Sequence, residues 1–229
     1  MKREFLYKNP FLEYSKKIEN ESKFKKEISM KLDQLKAVFN KEAENYFNSK
    51  RRNFEVDEFN KNTLNLVCKY FSNDETFETM HKADLSKGIF FYGKPGTGKT
   101  SIFKIIQSIS KKYNLKNIWF PITSTSDVVQ EFNIDKQKDF VIKKYTRGNY
   151  LFDDLGAEDQ ANNVYVFGKD EIFIRIFEFR YNLFISKGIK THLTSNLNIS
   201  EISKRYGKRV EDRFYEMFNF IEIKGESRR

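Results

Sequence analysis

From Ser22 to Phe47 the apolar residues Ile28, Leu32, Leu35, Phe39, Ala43 and Tyr46 recur every three or four positions, with Lys and Glu filling most of the rest. That spacing predicts one long amphipathic helix. Its apolar stripe has two outlets: to fold back on the rest of the chain, or to dock on another protein. Lys50, Arg51 and Arg52 break the pattern, which divides the chain into an N-terminal helical segment, 1–50, and a domain, 51–229. Phe54 to Asn60 reads as an extended piece ending in a helix cap at Asn60. The helix after it carries Leu64, Val67, Cys68 and Phe71 on one face. From residue 88 onward the period switches back and forth. Strands are expected at Gly88–Tyr92, Asn117–Ile122, Tyr150–Phe152, Thr191–Thr194 and Phe220–Ile223. Helices are expected at Thr100–Lys112, at Ser126–Phe132 after a serine cap, and at Asp170–Lys187 before Gly188, with two short ones around Gly207. Strands alternating with helices predict an α/β fold, a mostly parallel sheet with helices on both faces.

Composition narrows this picture. The chain has 229 residues, 39% hydrophobic and 32% charged, enough for one α/β core and an appended segment. No stretch approaches the roughly 20 apolar residues that span a bilayer, so no membrane association is expected. The start, MKREFLYKNPFLEY, lacks the apolar centre of a secretory signal, and a cytoplasmic protein is expected. The single cysteine, Cys68, excludes an internal disulfide and a thiolate metal cluster, and reads as a small buried hydrophobe. The net charge of +10 suits a polyanionic partner such as nucleic acid. The joint richness in Lys, Asn, Ile and Phe is equally what biased coding DNA produces. Neither an RNA-recognition signature nor zinc-finger spacing is present.

Candidate chemistry begins at Gly93-Lys94-Pro95-Gly96-Thr97-Gly98-Lys99-Thr100, which matches G-x-x-x-x-G-K-[ST] between an expected strand and an expected helix. Glycines let such a loop curl its N–H groups around phosphate oxygens, and the helix start adds the positive end of its dipole. Lys99 would serve the β- and γ-phosphates of ATP, and the Thr100 hydroxyl would ligate Mg²⁺. About fifty residues later, Tyr150-Leu-Phe-Asp-Asp-Leu-Gly156 is a hydrophobic strand ending in acids. Asp153 would hold the magnesium, and Asp154 would polarise the attacking water. Asn196, at the end of another strand, could sense the γ-phosphate or cap the next helix. Among the C-terminal arginines Arg209, Arg213, Arg228 and Arg229, position rather than residue type must decide which could meet a transferring phosphoryl group.

These motifs follow in a recognisable order: GKPGTGKT, LFDDLGAE, a helix bearing Arg180-Tyr181, THLTSNL, RYGKRVEDRF and GESRR. Over roughly residues 50 to 229 the chain resembles the helicase-loader branch of the AAA+ ATPases, the DnaC and DnaI type, and its relative the IstB transposition helper. The resemblance implies a P-loop AAA+ three-layer fold with a parallel five-stranded sheet in the order 5-1-4-3-2. It implies that the C-terminal helical lid is absent, and that Asn196 is the first sensor. It places an arginine finger at Arg213, acting on ATP held by a neighbouring subunit. The second sensor matches Arg229 best, with Arg228 as the alternative. Slow, switch-like hydrolysis is implied by the Asp-Asp pair. A homo-oligomer formed on ATP binding is implied, together with single-stranded DNA and a hexameric replicative helicase held through residues 1–50. An IstB-like helper acting on duplex DNA and a non-catalytic ATP-bound interaction module are the other readings.

Overall fold

In the computed structural model, which describes residues 29–135, 138–158 and 169–228, five parallel strands form one sheet. In chain order the elements are α1 (Leu32–Asn48), α2 (Lys61–Phe71), α3 (Thr76–His81), β1 (Gly88–Tyr92), α4 (Lys99–Lys112), β2 (Ile122–Ser124), α5 (Thr125–Ile134) and α6 (Lys138–Lys144). They continue with β3 (Tyr150–Leu155), α7 (Lys169–Lys187), β4 (Thr191–Ser195), α8 (Ile199–Tyr206), α9 (Lys208–Met217) and β5 (Phe218–Glu222). The sheet order is β2-β3-β4-β1-β5, the expected 5-1-4-3-2 read from the other edge. Phe90 of β1 stands beside Leu193 of β4 and Phe220 of β5, so β1 is central and both its neighbours run parallel to it.

Alternation along β1 divides the core between the two faces of the sheet. Ile89 and Phe91 point to the side covered by α1, α2 and α4, where Leu35, Phe39, Val67, Phe103 and Ile106 are buried. Phe90 points to the other side, against Phe173 and Phe177 of α7 and Phe214 of α9. The two options for the apolar stripe of α1 are thereby resolved within the described residues. Leu35, Phe39 and Ala43 are buried in the same cluster as α4, and Glu42 pairs with Lys112. Residues 32–48 therefore belong to the core of the domain that follows them.

Some boundaries differ from expectation for physical reasons. The strand expected at 117–122 is a 3₁₀ turn at Lys116–Ile118, and the ladder starts only at Ile122. Pro121 has no N–H to give and takes part only through its carbonyl, which accepts from Leu151 N at 2.9 Å. Asn60 stands at the N-cap of α2 without a side-chain cap bond; it holds the preceding loop instead, accepting from Asp57 N and donating to Glu55 O. Strand β3 runs on past Phe152 to Leu155, so both aspartates lie inside it, next to a shift in its register with β4. Helix α6, with Val141 and Ile142 buried, occupies a stretch where no element was expected. At the amino end of β3 and β4, the fully buried Arg180 donates to the carbonyls of Tyr145, Gly148 and Lys190 and to Thr191 Oγ1. Burial holds its guanidinium down at about 10.

Candidate nucleotide site

The loop from β1 to α4 is squeezed between the sheet and the last residues of the chain. A Cβ on Gly93 would stand 2.4 Å from the Ile223 carbonyl oxygen, and one on Gly96 would stand 2.2 Å from Ser227 Oγ. Both glycines also have positive φ, +139° and +84°, so neither steric room nor backbone conformation admits a side chain. Thr97 is buried and its hydroxyl donates to Lys94 O, which pins the loop, while Arg228 N donates to Gly96 O. Helix α4 begins at Lys99, so its first-turn N–H groups face the loop.

Lys99, Asn196, Asp154, Asp153, Thr194 and Thr100 form one connected constellation. Lys99 Nζ donates to Gly93 O at 2.6 Å, Lys94 O at 2.8 Å and Asn196 Oδ1 at 2.8 Å. Asn196 Nδ2 in turn donates to Asp154 Oδ1 at 3.0 Å. An amide suits this position because its oxygen faces an ammonium and its nitrogen a carboxylate. Thr100 Oγ1 donates to Asp153 Oδ1 at 2.7 Å, which brings together the two side chains expected to hold magnesium. Asp154 has φ +62°, uncommon for a residue with a side chain. Its N–H donates to Thr194 Oγ1 at 2.8 Å, and the Thr194 hydroxyl donates to Asp153 Oδ1 at 2.6 Å. One buried threonine on β4 therefore orients both aspartates of β3.

These residues border a cavity of about 370 Å³ at the carboxyl edge of the sheet, with Gly98, Lys99, Thr100, Asp153, Asp154 and Asn196 in its wall. A groove of about 460 Å³ continues from it past Gly98 and Ser101, lined by Phe54, Leu64, Ile102 and Ile105. A larger cavity, about 540 Å³, lies beside His192 and contains neither the glycine loop nor the two aspartates, so chemistry rather than size identifies the site. The residues present fit a nucleoside triphosphate. The loop offers donors and no carboxylate, an apolar groove adjoins it, and Arg228 Nε is buried with no partner among the described residues.

Other expected residues fall elsewhere. Arg213 does not line the cavity; it donates to Glu178 Oε1 at 3.1 Å and lies 5.1 Å over the Tyr181 ring, on the face shared by α7 and α9. Arg229 lies outside the described residues, as do residues 1–28 of the N-terminal segment. Arg228 reaches the cavity wall and donates to Asp57 Oδ2 at 2.6 Å. Behind Asp154, a network not expected from the sequence fixes the following turn. Arg205 donates to Gly156 O and Glu158 O, and the buried Glu158 accepts from Gly156 N, Arg205 and Tyr206. No short motif links residues 156–158 to 205–206, so no sequence signal announced it.

This sheet order, with a glycine loop after the central strand and acids on the third, is that of the P-loop AAA+ fold. Solved AAA+ structures share it. The AMPPCP-bound DnaA from Aquifex aeolicus is 22% identical with a TM-score of 0.53, the match covering 76% of this chain and 49% of that one. A DnaI structure is 20% identical with a TM-score of 0.53, over 77% of this chain and 87% of that one. A replication initiator DnaA bound to AMPPCP and single-stranded DNA is 21% identical with a TM-score of 0.51, over 76% and 49%. The chain thus spans about half the length of the DnaA structures and most of the DnaI one. No protein-family model matches the chain, and no curated protein matches it in sequence.

Proposed function

We propose that this protein is an ATP-switched replicative helicase loader, a cytoplasmic protein that binds single-stranded DNA and hydrolyses ATP at the interfaces of a homo-oligomer. The observation that carries the reading is the constellation running from Lys99 through Asn196 to Asp154 and from Thr100 to Asp153. The phosphates enter the loop 93–100, with Lys99 supplying a point charge and the α4 N-terminus its dipole. The adenine takes the apolar groove beside Phe54 and Ile102. Thr100 and Asp153 would hold Mg²⁺, which would supply charge neutralisation to the phosphates. Asp154 accepts from the attacking water, and Asn196 holds Asp154 in place. Arg213 acts in trans on the next subunit's phosphate, leaving its pair with Glu178 when subunits meet. Arg229, or Arg228 beside it, acts as the second sensor. The helicase is held through the N-terminal region within residues 1–50, and the excess of basic residues contacts DNA phosphates without reading sequence. Support comes from the fold shared with DnaI and with a DnaA bound to single-stranded DNA.

The test is native mass spectrometry of the protein mixed with its host's replicative helicase, with and without ATP. A defined complex with the helicase hexamer is expected. Deleting residues 1–28 should abolish it; α1 must stay, because Leu35, Phe39 and Ala43 close the core. No complex under either condition rejects the loader reading and leaves the ATP site standing.

A further inference from the structure

Helix α1 runs along α4 and delivers the turn that follows it to the mouth of the phosphate cavity. There Tyr46, Lys50 and Arg52 stand in the wall of the same cavity as Lys99 and Thr100. The turn is built for this placement. Arg51 takes a left-handed conformation, φ 57°, and Lys50 N and Arg52 N both donate to Phe47 O. Lys50 Nζ donates to Tyr46 Oη at 2.6 Å and lies 3.9 Å over that ring, while the Tyr46 hydroxyl also interacts with Ser101, directly after Thr100. Arg52 borders both the cavity and the apolar groove, so it sits where a nucleotide passes from base to phosphates. Among the described residues neither cation is paired with a carboxylate, although the chain forms such pairs readily elsewhere, Arg175 with Asp139 and Lys94 with Glu226 for example. Two unneutralised cations held at the edge of an anion site attract its ligand.

We propose that Lys50 and Arg52 are further phosphate-binding residues, a clamp on the polyphosphate of a nucleoside triphosphate that α1 brings to the loop. This rests on the reading of the loop as an ATP site. A cation at a helix end also answers the carbonyls of that end. That accounts for Lys50 but not for Arg52, four residues past the end of α1 and in the wall of the same cavity.

The experiment titrates fluorescent ATP into the full chain and into Lys50→Ala/Arg52→Ala, Lys50→Arg and Lys99→Ala, at low and at high salt, with melting curves alongside. At contact distance in water each cation is worth roughly a fivefold change in affinity, less what mobility removes, so the double variant should weaken binding by roughly tenfold at low salt. The gap should shrink at high salt, and Lys50→Arg should bind as the parent does. An unchanged Kd at both salt concentrations, whether or not the melting point falls, overturns the proposal. Lys99→Ala separates the two failures: if it too binds like the parent, the loop is not the ATP site. If it alone loses binding, the loop stands and the clamp falls.

Discussion

Thr194 carries a consequence large enough to measure twice. Its hydroxyl accepts from Asp154 N and donates to Asp153 Oδ1, and the residue is 1% exposed. Thr194→Val keeps the shape and removes both bonds. The Asp154 N–H loses its acceptor, which costs about 1–3 kcal/mol for a group shut off from water. The bond to Asp153 is charge-assisted, worth about 1.5–3 kcal/mol when dry. Asp153 is only half-buried, so water recovers part of that and about 1 kcal/mol is the fairer figure. Together the loss is roughly 2–4 kcal/mol, or roughly 5–15 °C of melting temperature for a domain of this size. Asp153 also loses the donor that fixes it beside Thr100, so the magnesium dependence of ATP turnover should shift to higher concentration. Thermal unfolding and a magnesium titration of ATPase rate read the two effects. Thr194→Ser, which keeps the hydroxyl, should recover most of both. If Thr194→Val melts within 1 °C of the parent with unchanged magnesium dependence, Thr194 does not organise the aspartates.

His192 is buried among Tyr70, Phe71, Phe103 and Phe120, and it accepts from Ile89 N through Nδ1. Burial, with Lys190 and Arg180 adding repulsion, pushes its imidazole down to about 3. The unfolded chain takes a proton near pH 6.5 that the native one refuses, so stability falls as pH drops from about 6.5 toward 3. The loss is about 2 kcal/mol by pH 5, and denaturant titrations of His192→Asn should show a shallower fall over that range. Arg180→Leu removes the donor of three carbonyls, that of Tyr145 buried and those of Gly148 and Lys190 part-buried, and should cost roughly 2–4 kcal/mol in urea unfolding. For the interface, Arg213→Ala should bind ATP normally and not hydrolyse it. Mixing it with Asp154→Ala should restore turnover, and failure to do so under assembling conditions refutes action in trans.

The glycine loop after β1 and the aspartates of β3 were legible because each is a local pattern tied to a local element. Gly93 to Thr100 needs only its own turn and the helix start, and the acids need only the strand that bears them. Sheet order followed from the resemblance rather than from periodicity, which cannot rank parallel strands. What stayed hidden depends on contacts distant in sequence. Thr194 serves residues forty positions earlier, and Glu158 meets Arg205 and Tyr206 across nearly fifty. The pattern of α1 showed an apolar stripe but not its destination, because a stripe looks the same whether α4 or another protein covers it. Pro121 was visible in the sequence, yet its effect on where β2 begins depended on the neighbouring strand.

The proposed function stands or falls with ATP binding at the loop from Gly93 to Thr100. The most direct measurement is calorimetric titration of Mg-ATP into the parent protein and into Lys99→Ala, with circular dichroism confirming that both are folded. One site per chain is expected in the parent and no measurable binding in the variant. Tight ATP binding that survives in a folded Lys99→Ala would contradict it.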